Sequence, residues 1–79
     1  MTRNAEDGPL PAPVVVDARG MRCPWPVLRA ARAMRANDHV LLLADDPIAL
    51  KEVPDMASAR GWRCGVLRED SCTKFILKK

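Results

Sequence analysis

Five apolar residues in a row, Val40-Leu41-Leu42-Leu43-Ala44, constrain this chain more than any other stretch. A strand with apolar residues at every position has no side to give to water. It must be central in a sheet or covered on both faces. A second β-branched run, Val14-Val15-Val16, lies upstream and also reads as a strand. Between the two runs the apolar period changes. Val27, Ala30, Ala31 and Met34 follow helical spacing, and Arg29, Arg32 and Arg35 fall away from that face. Asn37-Asp38 closes the helix.

Beyond the central run, Asp45-Asp46-Pro47 reads as a helix start, with Asp46 as N-cap and Pro47 at the first helical position. Pro54 is expected to break this helix or restart it after about two turns. Gly61, following Arg60, ends it. Residues 62–67 and 73–77 read as a hairpin with Glu69-Asp70 at its tip. That tip sets Trp62 opposite Leu77, Cys64 opposite Phe75 and Val66 opposite Thr73. Cys72 and Leu67 then lie on the other face, which excludes a Cys64–Cys72 disulfide. The order is β-α-β-α-β-β. The expected fold class is α/β: a two-layer sandwich with a four-stranded mixed sheet and two helices on one face.

The chain has 79 residues, enough for one domain with a thin core. Trp25, Trp62 and Phe75 are its three aromatics, so the core must be aliphatic. Residues 1–13 carry three prolines, one glycine and scattered charge, and read as a flexible leader to a single domain at residues 14–79. The net charge of +3 is mild, with no dense basic block. It gives little support to nucleic-acid binding. No hydrophobic leader resembles a signal peptide, and no apolar run could cross a bilayer, so membrane insertion is not expected. An odd count of three cysteines fits poorly with a disulfide framework and points to a reducing, cytoplasmic location.

Cys23 stands out among the three. It falls where the first helix should be capped, with Pro24 at the first helical position and Pro26 at the third, positions that tolerate proline. The main-chain N–H groups of Trp25 and Val27 could then point toward the sulfur, and Arg19 and Arg22 lie close in sequence. A helix N-terminus favours negative charge, and the thiolate is the reactive form of cysteine, so this spacing predicts a thiol with a lowered pKa. A small buried cysteine beside prolines is the plainer alternative. The motif lacks the second cysteine of a dithiol redox pair. His39 lies beyond the far end of the helix, which disfavours a Cys–His hydrolase. The cysteines lack zinc-ligand spacing, and no metal or cofactor is expected. Trp25 could anchor a partner beside the thiol or cover the helix start. Asp45 and Asp46 could reach a partner, although capping explains Asp46. Cys64 reads as core; Cys72 reads as an ordinary strand residue or a second sulfur site.

The stretch Asp17-Ala-Arg-Gly-Met-Arg-Cys-Pro-Trp-Pro26, with Ala44-Asp-Asp-Pro47, Val53-Pro54 and the closing Phe75-Ile-Leu-Lys78, resembles the TusA/SirA family of sulfur-carrier proteins. The resemblance covers roughly residues 14–78. It implies that Cys23 accepts a sulfane sulfur as a persulfide and relays it, with Asp17, Arg19, Gly20, Arg22, Pro24 and Pro26 as motif residues. Implied donors are cysteine desulfurases or rhodanese-like enzymes. Implied acceptors serve tRNA thiolation, molybdenum-cofactor enzymes or sulfur oxidation. Trp25 stands where an acidic residue is frequent, and Trp62 where the family often has His. The expected protein is thus a monomeric sulfurtransferase-type carrier. The competing expectations are a regulatory adaptor that binds protein or RNA through the basic helix and Trp25, and a thiol redox sensor.

Overall fold

The computed structural model describes residues 13–79, and the leader expected at 1–13 lies outside them save for Pro13. Six elements follow in the expected order: β1 (Val14–Asp17), α1 (Trp25–Ala36), β2 (His39–Ala44), α2 (Ala49–Ala59), β3 (Arg63–Arg68) and β4 (Thr73–Lys78). The strands form one sheet in the order β1-β2-β4-β3. β1 runs parallel to β2, while β2–β4 and β3–β4 are antiparallel, so the sheet is mixed.

Both helices lie on the same face. α1 buries Pro26, Ala30 and Met34, and α2 buries Ala49, Val53 and Ala57. Each set repeats every four residues, so it forms one stripe along its helix. The stripes meet Val16, Val40, Leu42, Ala44, Phe75 and Leu77 of the sheet. The register explains that set. Val16 pairs with Leu42, Leu42 with Phe75, and Val40 with Leu77, so the bulky side chains line up on one face. Phe75, Met34, Leu42, Leu77, Val40 and Val53 are fully buried. Burial of each such side chain is worth roughly 1.5–3 kcal/mol. Small residues on the helices, Ala30, Ala49 and Ala57, let the two layers approach closely.

β2 is central, as its composition requires, but it is not covered on both faces. Leu41 and Leu43 are only half-buried. On the open side Leu41 lies between Val15 and Ile76, its paired residues on β1 and β4. Val15 is 59% and Ile76 42% exposed. Among the described residues both helices fill the opposite side, so Leu41 takes its cover there from its strand neighbours.

Three further expectations are corrected. The hairpin register is shifted by two residues: Cys64 lies opposite Leu77, Val66 opposite Phe75, and Leu67 opposite Lys74. The connection spans residues 69–72, closed by the Glu69 N–H donating to the Cys72 carbonyl at 2.9 Å. A Lys74–Glu69 ion pair at 3.3 Å stands beside it. An even shift preserves which face each side chain occupies, so the apolar sorting survives. Trp62 is not in the ladder. Its N–H reaches back to the Ala57 carbonyl at 2.8 Å, while the Gly61 N–H reaches Ser58 at 3.2 Å. With Gly61 at φ +74°, this is the paired-bond helix ending that favours glycine. The Arg60 guanidinium lies 5.5 Å from the Trp62 ring centre, in cation–π contact. Finally, Pro54 neither breaks nor restarts α2, which is continuous around it. The buried stripe of Ala49, Val53 and Ala57 runs through the proline and holds the turns on either side to the sheet.

Candidate functional site

Parallel pairing of β1 and β2 sets their C-terminal ends side by side. The Ala18 N–H continues the pairing to the Leu43 carbonyl at 2.8 Å. The chain segments that leave these ends are residues 18–24 and 45–48. They meet above the sheet edge, the usual place for a site in sheets with parallel strands. Gly20, Met21, Arg22, Cys23, Asp45, Asp46, Pro47 and Ile48 line one open cleft there of about 410 Å³.

Two aspartates of the second segment hold the first. Gly20, at φ +82°, donates its N–H to both Asp45 carboxylate oxygens, at 2.9 and 3.0 Å. Cys23 donates its N–H to Asp46 Oδ2 at 2.5 Å. Asp46 Oδ1 accepts the Ile48 N–H at 3.0 Å. Asp46 therefore caps the Ile48 N–H in the turn that leads into α2, but the N-cap of α2 itself is Ile48, with no side-chain cap bond, and not Asp46 as expected. The segment opens with i to i+3 bonds, Ala49 to Asp46 at 3.0 Å and Leu50 to Pro47 at 3.2 Å, and the regular α-helix begins at Ala49. Asp46 has its pKa lowered, first by the bond from Cys23 and then by the bond from Ile48.

The surroundings of Cys23 differ from those its spacing predicts. α1 begins at Trp25, one residue later than expected, with Pro24 as N-cap and Pro26 at the second helical position. The Cys23–Pro24 peptide bond is cis. The Trp25 N–H is committed to the Arg22 carbonyl at 2.9 Å rather than aimed at the sulfur. The half-buried thiol is raised above its ordinary pKa, not lowered. Desolvation is the largest cause, followed by the negative charges of Glu52 and Asp46. The helix-start argument fails here because the thiol is partly desolvated, the Trp25 N–H is committed to Arg22, and Glu52 and Asp46 add negative charge from another part of the chain.

The other motif residues separate into distinct roles. Asp17 and Arg19 form their own pair outside the cleft. Arg19 Nε and Nη2 bond the two Asp17 oxygens at 2.9 and 2.8 Å, and the Arg19 main-chain N–H adds a third bond at 3.1 Å. This holds the Asp17 carboxyl at about 2. Arg22 acts on Asp46, whose carboxyl it helps to lower. Pro26 is buried under α1. Trp25 is 60% exposed, so it does not cover the helix start. Leu28, one turn on, and Ile48, across the cleft from Cys23, are also exposed apolar residues. Arg29, Arg32 and Arg35 point to solvent as expected. Cys64 is half-buried against the core, which raises its thiol. Cys72 is half-buried in the hairpin connection. Among the described residues no cluster of ligands could hold a metal ion. Sequence reasoning missed Met21, Ile48 and Glu52. Met21 and Ile48 carry no chemical signal of their own. Glu52 would be reachable only by knowing that the start of α2 faces Cys23.

The site is thus a cleft at the ends of parallel strands, with one half-buried thiol and a proline-flanked helix start. The family described as sulfurtransferase TusA matches residues 14–79. The chain belongs to the TusA family. A protein from Archaeoglobus fulgidus, described as a sulfur carrier protein, is 34% identical over 68 residues, covering 80% of this chain and 88% of that one. A crystal structure of a SirA-like protein from Desulfitobacterium hafniense superposes with a TM-score of 0.76 at 26% identity, covering 82% of this chain and 95% of that one. The two-layer TusA-type fold and membership of the sulfur-carrier family are thus properties of this chain. Among the described residues, no helix is long and apolar enough to cross a membrane.

Proposed function

We propose that this protein carries sulfane sulfur as a persulfide on Cys23. The observation that carries the reading is the placement of Cys23 Sγ on an open cleft, backed by a helix start and by no other thiol. The donor protein presents a persulfide, R–S–SH. The Cys23 sulfur attacks the terminal sulfur, the donor S–S bond breaks, and the thiol proton passes to the departing donor sulfur through water. The products are R–SH and Cys23–S–SH. One S–S bond is lost and one formed, so no external oxidant or cofactor is consumed. The acceptor repeats the step in the opposite sense.

The donor is a cysteine desulfurase or rhodanese-like enzyme, and the acceptor is the next protein of a sulfur relay, serving tRNA thiolation, molybdenum-cofactor enzymes or sulfur oxidation. The exposed apolar side chains of Trp25, Leu28 and Ile48 beside the thiol support a protein partner rather than a small substrate. A free thiol is needed at every cycle, which suits the reducing cytoplasm. Incubation with a desulfurase and cysteine should add the mass of one sulfur to the protein. The gain should map to Cys23 and vanish in Cys23→Ser. Absence of the gain with both donor classes, or an equal gain in Cys23→Ser, would overturn the proposal.

A further inference from the structure

Asp46 has both carboxylate oxygens in use, and they bind two different parts of the chain. Oδ2 takes the Cys23 N–H at 2.5 Å and Oδ1 takes the Ile48 N–H at 3.0 Å. The two donors belong to segments 25 residues apart that form opposite walls of the cleft. Capping alone would need only the Ile48 bond. The bond to Cys23 lies ahead of α1, which begins two residues later with Pro24 at the N-cap position and no side-chain cap bond.

We infer that Asp46 is a positioning residue for sulfur carriage: its carboxylate latches the main chain of Cys23 to the start of α2 and so sets where the sulfur stands in the cleft. The inference rests on the reading of Cys23 as the carrier cysteine. Its chemical consequence follows from the same geometry. The latch places a fixed negative charge beside the sulfur. The charged and titratable groups around Cys23 are Asp46 and Asp45 from the segment after β2, Glu52 from α2, and Arg22 from its own loop. Three of the four are acidic, which disfavours the thiolate of the empty carrier. A persulfide is a stronger acid than the parent thiol, so the loaded form ionises more readily in the same field. Asp46 thereby helps to keep the empty carrier protonated, while the greater intrinsic acidity of the persulfide lets the loaded form ionise at lower pH in the same field. A donor that brings a cation to the acidic wall would relieve the restraint only when docked.

Two substitutions separate the latch from the cap. In Asp46→Ser the hydroxyl can still cap the Ile48 N–H, but it is too short to bridge to Cys23 and carries no charge. In Asp46→Asn the shape is kept, but an NH2 group, which donates, replaces one of the two accepting oxygens and the charge is lost. Amide hydrogen exchange and the pH profile of Cys23 alkylation by iodoacetamide read the effect. Neither requires a sulfur donor. The expected result in both variants is faster exchange at the Cys23 amide by about tenfold or more, with the alkylation midpoint moved to lower pH. Amides in the middle of α2 and β2 should keep their protection in Asp46→Ser. Unchanged Cys23 exchange together with an unchanged alkylation midpoint would overturn the latch. So would a uniform loss of protection across the whole fold in Asp46→Ser, since that is global destabilisation and not the release of a local contact. Failure of wild-type protein to take up sulfur would sink the carrier reading instead, and would leave these two measurements unaffected.

Discussion

Gly20 donates its main-chain N–H to both carboxylate oxygens of Asp45, at 2.9 and 3.0 Å, across 25 residues of sequence. Gly20 sits at φ +82°, and a Cβ built there meets nothing within 4 Å. The demand for glycine is therefore one of backbone conformation alone. Gly20→Ala should destabilise the fold by about 1–2 kcal/mol, the cost of holding an L side chain in the left-handed region. Urea unfolding checks this. A loss below ~0.3 kcal/mol would show that the turn can relax to another conformation.

The thiol of Cys23 should alkylate slowly at neutral pH. Its raised pKa comes from desolvation first, then from Glu52 and Asp46. The thiol therefore stays protonated to a higher pH than a free cysteine, and the reactive thiolate fraction rises only there. Rates of iodoacetamide reaction followed against pH should place the midpoint above that of a short cysteine peptide. Glu52→Gln should bring the midpoint down by removing one of the two named charges. A midpoint below the peptide value would restore the helix-start expectation and refute the acidic-wall account.

Asp17 should titrate at about 2, with the Arg19 side-chain bond as the largest cause. The sign follows from the depressed value. The contribution of the pair to stability is present above the ordinary carboxylate range and is lost as pH falls from about 4 through about 2. Both groups are exposed, so its size is small. Carboxyl NMR shifts followed by acid titration check the value, and Arg19→Ala should raise the midpoint toward the ordinary range while the main-chain N–H bond keeps part of the lowering.

Pro54 removes a main-chain donor from the interior of α2. The carbonyl four residues earlier, that of Leu50, loses its helical partner. Proline in a helix interior costs ~3 kcal/mol, offset in part by the stiffer unfolded chain. Pro54→Ala should thus stabilise the protein by about 1–2 kcal/mol, read as a higher urea midpoint. A fall in the midpoint would mean that the ring packs in a way worth more than the missing bond.

Trp25 is largely exposed, so Trp25→Ala should leave stability within ~0.5 kcal/mol of wild type. If Trp25 anchors the sulfur donor, the same change should weaken donor binding by about 2 kcal/mol or more, measurable by calorimetry with a desulfurase. Trp62 serves as a contrast. It packs against the core and under Arg60, and its loss should appear in stability.

The element order and the two-layer packing were legible because they are local. Val14–Val16 and Val40–Ala44 announce strands, Val27, Ala30, Ala31 and Met34 announce a helix face by their spacing, and Asp46-Pro47 and Gly61 bracket the second helix. The hairpin faces were legible for the same reason, since alternation fixes the face and the two-residue register error left it untouched. The register itself was not, because it depends on how many residues the connection takes up. The endpoint of α2 at Gly61 could be read from one residue; the continuity of α2 through Pro54 could not, because it is enforced by contacts with the sheet.

The site divides along the same line. The sequence by itself determined that Cys23 stands at a proline-bounded helix start, and that its motif resembles a sulfur carrier. These depend on neighbours in the chain. Only the tertiary structure decided what surrounds the sulfur. Parallel pairing of β1 with β2 brings Asp45 and Asp46 onto the loop that holds Cys23, and the start of α2 brings Glu52. Local spacing counts the helix N–H groups near a thiol. It cannot count the burial that packing imposes, or charges that arrive from residues more than 20 positions away, and here burial first and then those charges raise the thiol instead of lowering it.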